Sequence, residues 1–359
     1  MALVADPVAR RSVDVLLRGQ SPSGALVASP SYPTYRYAWL RDGAFCAHAL
    51  DVVGEGEASA AWHGFVAGTL EAHRPLVESA IDGIHEGRTL PPAAVPPARS
   101  TLHGRLEPER EEAWPNFQID GYGMWLWALE QHVAGRGVDA ALSRTIDLAA
   151  RYLDATWPLP SHSCWEELDG GEHASTLGAV YAGLTAAARL LDREAYRSQA
   201  ERVRGALLER YVEDERFKRG PDDPRLDGSL LWLGVPFGVV PLDDPRIVET
   251  VDGIRRELTG PEGGVYRYPG DTYYGGGEWL LLTCSLGWHA ALAGDAAALE
   301  VSRRWVRAQA LENGDLPEQV TGCAQDAEMV EPWVLRWGPV ATPLLWSHAM
   351  YLLMETAAS

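Results

Sequence analysis

The chain lacks several features that would otherwise fix its setting. No stretch approaches the ~18 consecutive apolar residues of a membrane helix, and 46% hydrophobic with 23% charged residues is the balance of a chain that folds in water. No basic stripe offsets the net charge of −19, so nucleic acid and anionic membrane surfaces are poor partners. Cys46, Cys164, Cys284 and Cys323 lie far apart, with no CxxC pair and no Cys/His spacing of a zinc site. They read as reduced thiols, and no metal or cofactor is expected. The N-terminus, MALVADPVARRSVDVLL, has no continuous apolar segment and no small-residue cleavage site. No secretion signal is therefore expected, and the cytoplasm is the expected compartment.

Strand-like alternation is scarce, but helical periodicity is abundant. Apolar residues recur at i, i+3, i+4 and i+7 over roughly 6–19, 43–53, 57–72, 121–134, 138–156, 173–192, 193–212, 228–239, 244–258, 278–293, 296–312 and 341–356. The connections between these segments alternate in length. Long ones, 20–42, 73–120, 156–172, 213–227, 259–277 and 313–340, precede every second helix. Helical bundles mostly use short connections, so long ones at every second junction read as functional loops gathered at one end. The pattern predicts an all-α (α/α)6 toroid: about twelve helices in two concentric rings, with residues 1–359 as a single domain. The Pro-rich, charged stretch within 84–113 reads as one of the long loops rather than a linker.

Fourteen tryptophans are an unusual load, and Trp39, Trp114, Trp157, Trp165, Trp333 and Trp337 fall in the long segments. Loop aromatics among carboxylates, amides and arginines suit carbohydrate, because ring faces stack on the apolar faces of a sugar while polar groups bind its hydroxyls. Many such tryptophans simply cover a core, the safer reading for Trp125, Trp127, Trp232, Trp288 and Trp305 within helices. Cleaving a glycosidic bond needs a protonated carboxyl at the leaving oxygen and a carboxylate that activates water. Candidates are Glu166 and Glu167 in CWEELDGG and Glu318 in GDLPEQV. Repulsion between the adjacent Glu166 and Glu167, with burial beside Trp165, would favour the neutral form of one. Taken alone the signal is weak, since a glutamate beside a helix start is more often a cap or a solvated charge. Arg41 and Asp42 beside Trp39, and Arg267 and Asp271 between aromatics, read either as grips for vicinal hydroxyls or as loop-fixing ion pairs.

Five ordered motifs, GALVASPSYPTYRYAWLRDG (24–43), WPNFQIDGYG (114–123), CWEELDGG (164–171), RYPGDTYYGGGEW (267–279) and LPEQV (316–320), resemble glycoside hydrolase family 15, the glucoamylase family. The resemblance implies an (α/α)6 barrel and an exo-acting, inverting hydrolase that releases β-D-glucose from the non-reducing end of short α-glucosides. It implies Glu166 as catalytic acid, Glu318 as catalytic base and Glu167 at the departing sugar. Tyr35 and Gln319 would help hold the water or the first sugar, and Arg41 and Asp42 would bind the terminal glucose. Trp39, Trp114 and Trp346 would wall the site, Arg267 would lie near the leaving sugar, and Trp165 would also bind substrate. WPNFQIDGYG looks like the bacterial form of its motif, so Gln118 and Asp120 carry no assigned role. Stand-alone members of this kind include isomaltose-type glucohydrolases, and no residue here decides between α-1,4 and α-1,6 linkages. Other readings are a trehalase-like or dextran-acting enzyme, or a non-catalytic sugar-binding protein on the same fold. A small oligosaccharide is the expected partner and a monomer the expected state. The two catalytic carboxyls of an inverting pair should stand roughly 6.5–9.5 Å apart across a pocket.

Overall fold

The computed structural model describes residues 6–106, 116–167 and 171–358. Among these, helical segments alternate between two kinds. Helix α8 (Glu194–Arg210) buries only Tyr196, Ala200, Val203 and Leu207, a single stripe at helical spacing. Helix α10 (Leu280–Leu292) instead buries every residue from Leu280 to Ala290, and α13 (Leu345–Ala357) every residue from Leu345 to Met354. A helix apolar on all sides has to be enclosed, whereas a one-stripe helix covers it from outside.

The enclosed elements form a ring. Helix α2 (Leu40–Val52) packs on α5 (Asp120–Val133), α5 on α7 (Ala174–Leu191), and α7 on a 3₁₀ helix over Gly228–Leu233. The ring continues through α10 and α13 and closes on α2. Outside it lie α1 (Pro7–Arg18) on α13, α3 (Gly56–Ala72) on α2, α6 (Ala140–Thr156) on α5 and α7, and α8 on α7. Helices α9 (Pro245–Glu257) and α11 (Ala296–Gln309) complete this layer, on the 3₁₀ helix and α10. This is the expected two-ring architecture. Close approach within it depends on glycine: a Cβ on Gly123 of α5 would stand 2.2 Å from the Ala179 carbonyl oxygen, and one on Gly183 of α7 would stand 2.5 Å from Gly123 Cα.

Three elements differ from the sequence reading. The helix expected over 228–239 is a six-residue 3₁₀ helix, since Gly234 and Pro236 deny it further turns. The long segment 73–120 contains α4 (Arg74–His85), which Pro75 starts and which packs on α6. Within 313–340 lies α12 (Val330–Trp337), a helix with no buried residue that sits against the turn Tyr273–Gly275.

The helix ends reveal how the loops are held. Outer helices α1, α6, α9 and α11 are capped by the side chains of Asp6, Asp139, Asp244 and Asp295, an interaction worth ~1 kcal/mol each. The inner α-helices have no side-chain cap. Carbonyls from other loops take that place: Leu40 N donates to Ala98 O (3.4 Å), Ala174 N to Arg219 O (2.9 Å), Leu280 N to Glu318 O (3.3 Å) and Leu345 N to Ala28 O (3.0 Å). Inner-helix N-termini thus pin the long loops together at one end of the ring. Short strands add to this, with β1 (Val265–Tyr266), β2 (Glu278–Trp279) and β3 (Gln319–Val320) forming a small antiparallel sheet.

Candidate active site

The pinned loops enclose a cavity of ≈ 500 Å³. Its lining draws on loops from far-apart parts of the chain and includes Tyr35, Trp39, Arg41, Asp42, Trp165, Glu166, Glu167, Arg267, Glu318 and Trp346. Ten of the twelve residues given catalytic or substrate-binding roles in the sequence are therefore brought together. Trp114 lies outside the described residues. Gln319 is buried behind the wall, where its Oε1 accepts from Gly277 N (2.9 Å) and its Nε2 donates to Tyr273 O (3.3 Å). It braces the loop that carries its neighbour Glu318. Close approach there requires the glycine run, since a Cβ on Gly277 would stand 2.4 Å from Val320 O.

Glu166 sits on a tight turn with φ of +62°, a conformation a non-glycine residue adopts at a cost of roughly 1–2 kcal/mol. The turn, closed by Glu166 N donating to Ser163 O, turns the side chain toward three donors. Trp39 Nε1 (2.5 Å), Arg41 Nη2 (3.0 Å) and Gln118 Nε2 (3.4 Å) all reach its Oε1. Arg41 also donates to Gln118 Oε1 (2.8 Å) and Asp120 Oδ2 (3.0 Å), and its guanidinium lies 5.8 Å from the Trp346 ring centre. Gln118 and Asp120 are thus placed as supports of Arg41.

Glu167 diverges from Glu166. Arg219 Nη2 donates to its Oε2 (3.1 Å), Tyr268 donates to its Oε1, and Arg267 Nη2 stands 3.5 Å from Oε1. The expected mutual repulsion of the two glutamates is therefore not the organising feature, because each has its own cations. Arg267 is fixed by a two-pronged bond to Asp271 and lies over the faces of Trp165, Tyr273 and Trp279 at 5.1–5.3 Å. Trp165 is itself held by its indole N–H to Asp227 (2.9 Å), a residue the sequence reading passed over.

Glu318 occupies a different environment. Its Oε1 accepts from Tyr35 Oη (3.1 Å), and Tyr35 pairs with Tyr273 Oη (2.8 Å). Its Oε2 is buried and has no hydrogen-bond partner among the described residues. Burial pushes the carboxyl up to about 7, against the lowering effects of Tyr35 and Arg267. Burial does the same for Asp42, also up to about 7, with Arg41 opposing and Glu166 reinforcing. Tyr273, inside the motif RYPGDTYYGGGEW, was given no role of its own; its Oη pairs with Tyr35, and it also acts to lower the Glu318 carboxyl. Trp333 and Trp337, named in the sequence among the loop aromatics, do line the cavity, and they reach it with Arg336 from α12, whose apolar spacing Val330, Trp333, Val334, Trp337 was a very short signal.

A ring of helices whose mouth holds acidic residues in separate settings, among tryptophans and clamped arginines, defines a glycosidase-type site. Residues 5–306 match the model of glycosyl hydrolases family 15. The chain is 39% identical over 355 residues to an isomaltose glucohydrolase of Kribbella flavida, covering 97% of this chain and 91% of that protein. A wild-type glycosidase structure superposes with a TM-score of 0.92 at 38% identity, covering 98% of this chain and 96% of its own. A bacterial glucoamylase complexed with acarbose shares the fold, with a TM-score of 0.74 at 20% identity over 99% of this chain and 56% of its own. The chain belongs to glycosyl hydrolases family 15 and is a glucose-releasing glycoside hydrolase. No described helix is long and apolar enough to cross a membrane.

Proposed function

We propose that this hydrolase acts on α-1,6 linkages in short isomalto-oligosaccharides, with Glu166 as general acid and Glu318 as general base. The linkage rests on the 39% identity, sustained over 97% of the chain, to a protein named isomaltose glucohydrolase. The assignment of the base rests on Glu318: one oxygen is held by Tyr35 and the other is unpartnered, so Oε2 is the atom that takes a proton from water. The water oxygen attacks the anomeric carbon from the face opposite the departing group, and the glycosidic C–O bond breaks. Glu166 gives its proton to the leaving oxygen. Its three recorded donors occupy Oε1, so Oε2 is the oxygen that carries that proton. Inversion yields β-D-glucose.

Arg41 and Asp42 grip the terminal glucose, and the Trp39 and Trp346 rings wall it, with Trp114 assigned to the same wall by resemblance. Glu167, Arg267 and Trp165 bind the departing sugar, while Tyr35 and Gln319 keep the base in place. Residues 1–359 act as one catalytic domain in this reading, which the packing of α1 on α13 supports. The enzyme works as a monomer in the cytoplasm, with a small oligosaccharide as its partner.

Comparing kcat/KM for isomaltose, maltose and trehalose at equal concentrations, with the product anomer followed by NMR, tests the proposal. Isomaltose is expected to lead, with β-glucose first. Preference for maltose or trehalose removes the linkage assignment; the chain's 28% identity to a trehalase of Mycobacterium tuberculosis over 69% of its length makes trehalose the informative control.

A further inference from the structure

The end of the ring opposite the cavity holds a second cluster of ionisable side chains. Asp51 stands at the C-terminal end of α2, His132 at the C-terminal end of α5, and His63 faces both from α3. One potential ligand atom from each lies within 4.8 Å of the others. We propose that Asp51, His63 and His132 bind one divalent transition-metal ion of the zinc class, which ties two inner helices to an outer one.

The decisive residue is His63. It is 4% exposed, and neither ring nitrogen has a hydrogen-bond partner among the described residues. Another buried histidine shows what a purely structural one looks like here. His348 is fully buried, and both its nitrogens are engaged, Nδ1 with Ser12 Oγ (2.8 Å) and Nε2 with Leu316 N (3.0 Å). A neutral imidazole has one donor and one acceptor to satisfy, so burying both unmatched calls for another partner.

The surroundings are those of a coordination site. Asp51 Oδ1 lies 2.9 Å from His132 Nδ1, and Ser59 Oγ donates to Asp51 Oδ2 (2.8 Å), the outer hydrogen bond that orients a ligating carboxylate. The His63 and His132 ring centres are 5.0 Å apart. A tetrahedral ion bonds such atoms at about 2.0–2.2 Å, which small side-chain rotations achieve from this spacing. On binding, the His132–Asp51 hydrogen bond is exchanged for two bonds to the ion, and a water takes the fourth position. Two imidazoles and one carboxylate suit zinc, whereas calcium and magnesium require mostly oxygen. The side chains of His132 and Asp51 are 16% and 18% exposed, which gives the ion an entry path.

Calorimetric titration of the tag-free, chelator-treated full chain with zinc chloride tests the site, with cobalt(II) absorption as a second readout. The expected result is one ion per chain, tetrahedral cobalt bands, and a rise in Tm of about 2 °C or more at saturating zinc. His63→Leu fills the buried space without a ligand, and His132→Gln replaces a partly exposed one. Each should weaken zinc binding at least about tenfold, while circular dichroism and glucose release confirm that the variants fold. Absence of saturable binding overturns the proposal, and so does a full equivalent of zinc retained by either folded variant.

Discussion

Two walls of one cavity present carboxylates in opposite surroundings. On one, Glu166 is met by an indole N–H, a guanidinium and an amide, all on a single oxygen. On the other, Glu318 has one phenol at its Oε1, a second phenol behind that, and an unpartnered Oε2. Identical side chains thus meet different surroundings, and which of them serves as acid and which as base rests on the family motif each occupies rather than on these contacts. Neither wall is built from one segment: Glu166 meets residues 39, 41 and 118, and Glu318 meets residue 35 through a loop held by residues 273 and 277.

The largest expected effect comes from removing each carboxylate in turn. Glu166→Gln and Glu318→Gln should each lower kcat on isomaltose by roughly 10²–10⁴-fold. α-Glucosyl fluoride, whose leaving group needs no proton, separates them: Glu166→Gln should recover much of its activity on the fluoride and Glu318→Gln should not. Equal recovery by both variants would erase the distinction between the walls. Arg41→Lys comes next, because an ammonium cannot serve Glu166, Gln118 and Asp120 together; kcat/KM should fall up to about 10²-fold.

A smaller effect is read in the pH profile. Glu318 must be ionised to act as base, and its carboxyl is raised to about 7, so kcat/KM should decline as pH falls through about 7. The Tyr35 hydrogen bond lowers Glu318. Tyr35→Phe should therefore move the acidic limb to higher pH, and an unmoved limb would detach Tyr35 from the base. The smallest change is expected for Tyr273→Phe, which leaves the Tyr35 contact in place: kcat at the pH optimum should fall less than about tenfold, with a limb shift smaller than that of Tyr35→Phe.

The helix starts show where sequence reading works and where it stops. The predicted start at 244 coincides with the capping residue Asp244, because an aspartate followed by proline is a local signal. Inner α10 and α13 begin two and four residues later than expected from 278 and 341, and α2 begins three earlier than expected from 43. Their first N–H groups bind carbonyls of distant loops, which no local pattern announces. Helix α12 was missed for a related reason: eight residues with none buried give too little periodicity to stand out.

Sequence alone determined the elements and their grouping. Apolar period, glycine positions and alternating connection lengths are local properties, and they were enough to predict two rings with their long loops at one end. Ordered motifs also named the carboxylates. Tertiary structure alone decided what each carboxylate experiences. Glu166 and Glu167, adjacent in the chain, answer to different arginines, and Glu318 is raised by burial rather than by a neighbouring glutamate. Hydrogen bonds and desolvation act over a few ångströms in space, and the residues that set them here lie up to 283 positions apart.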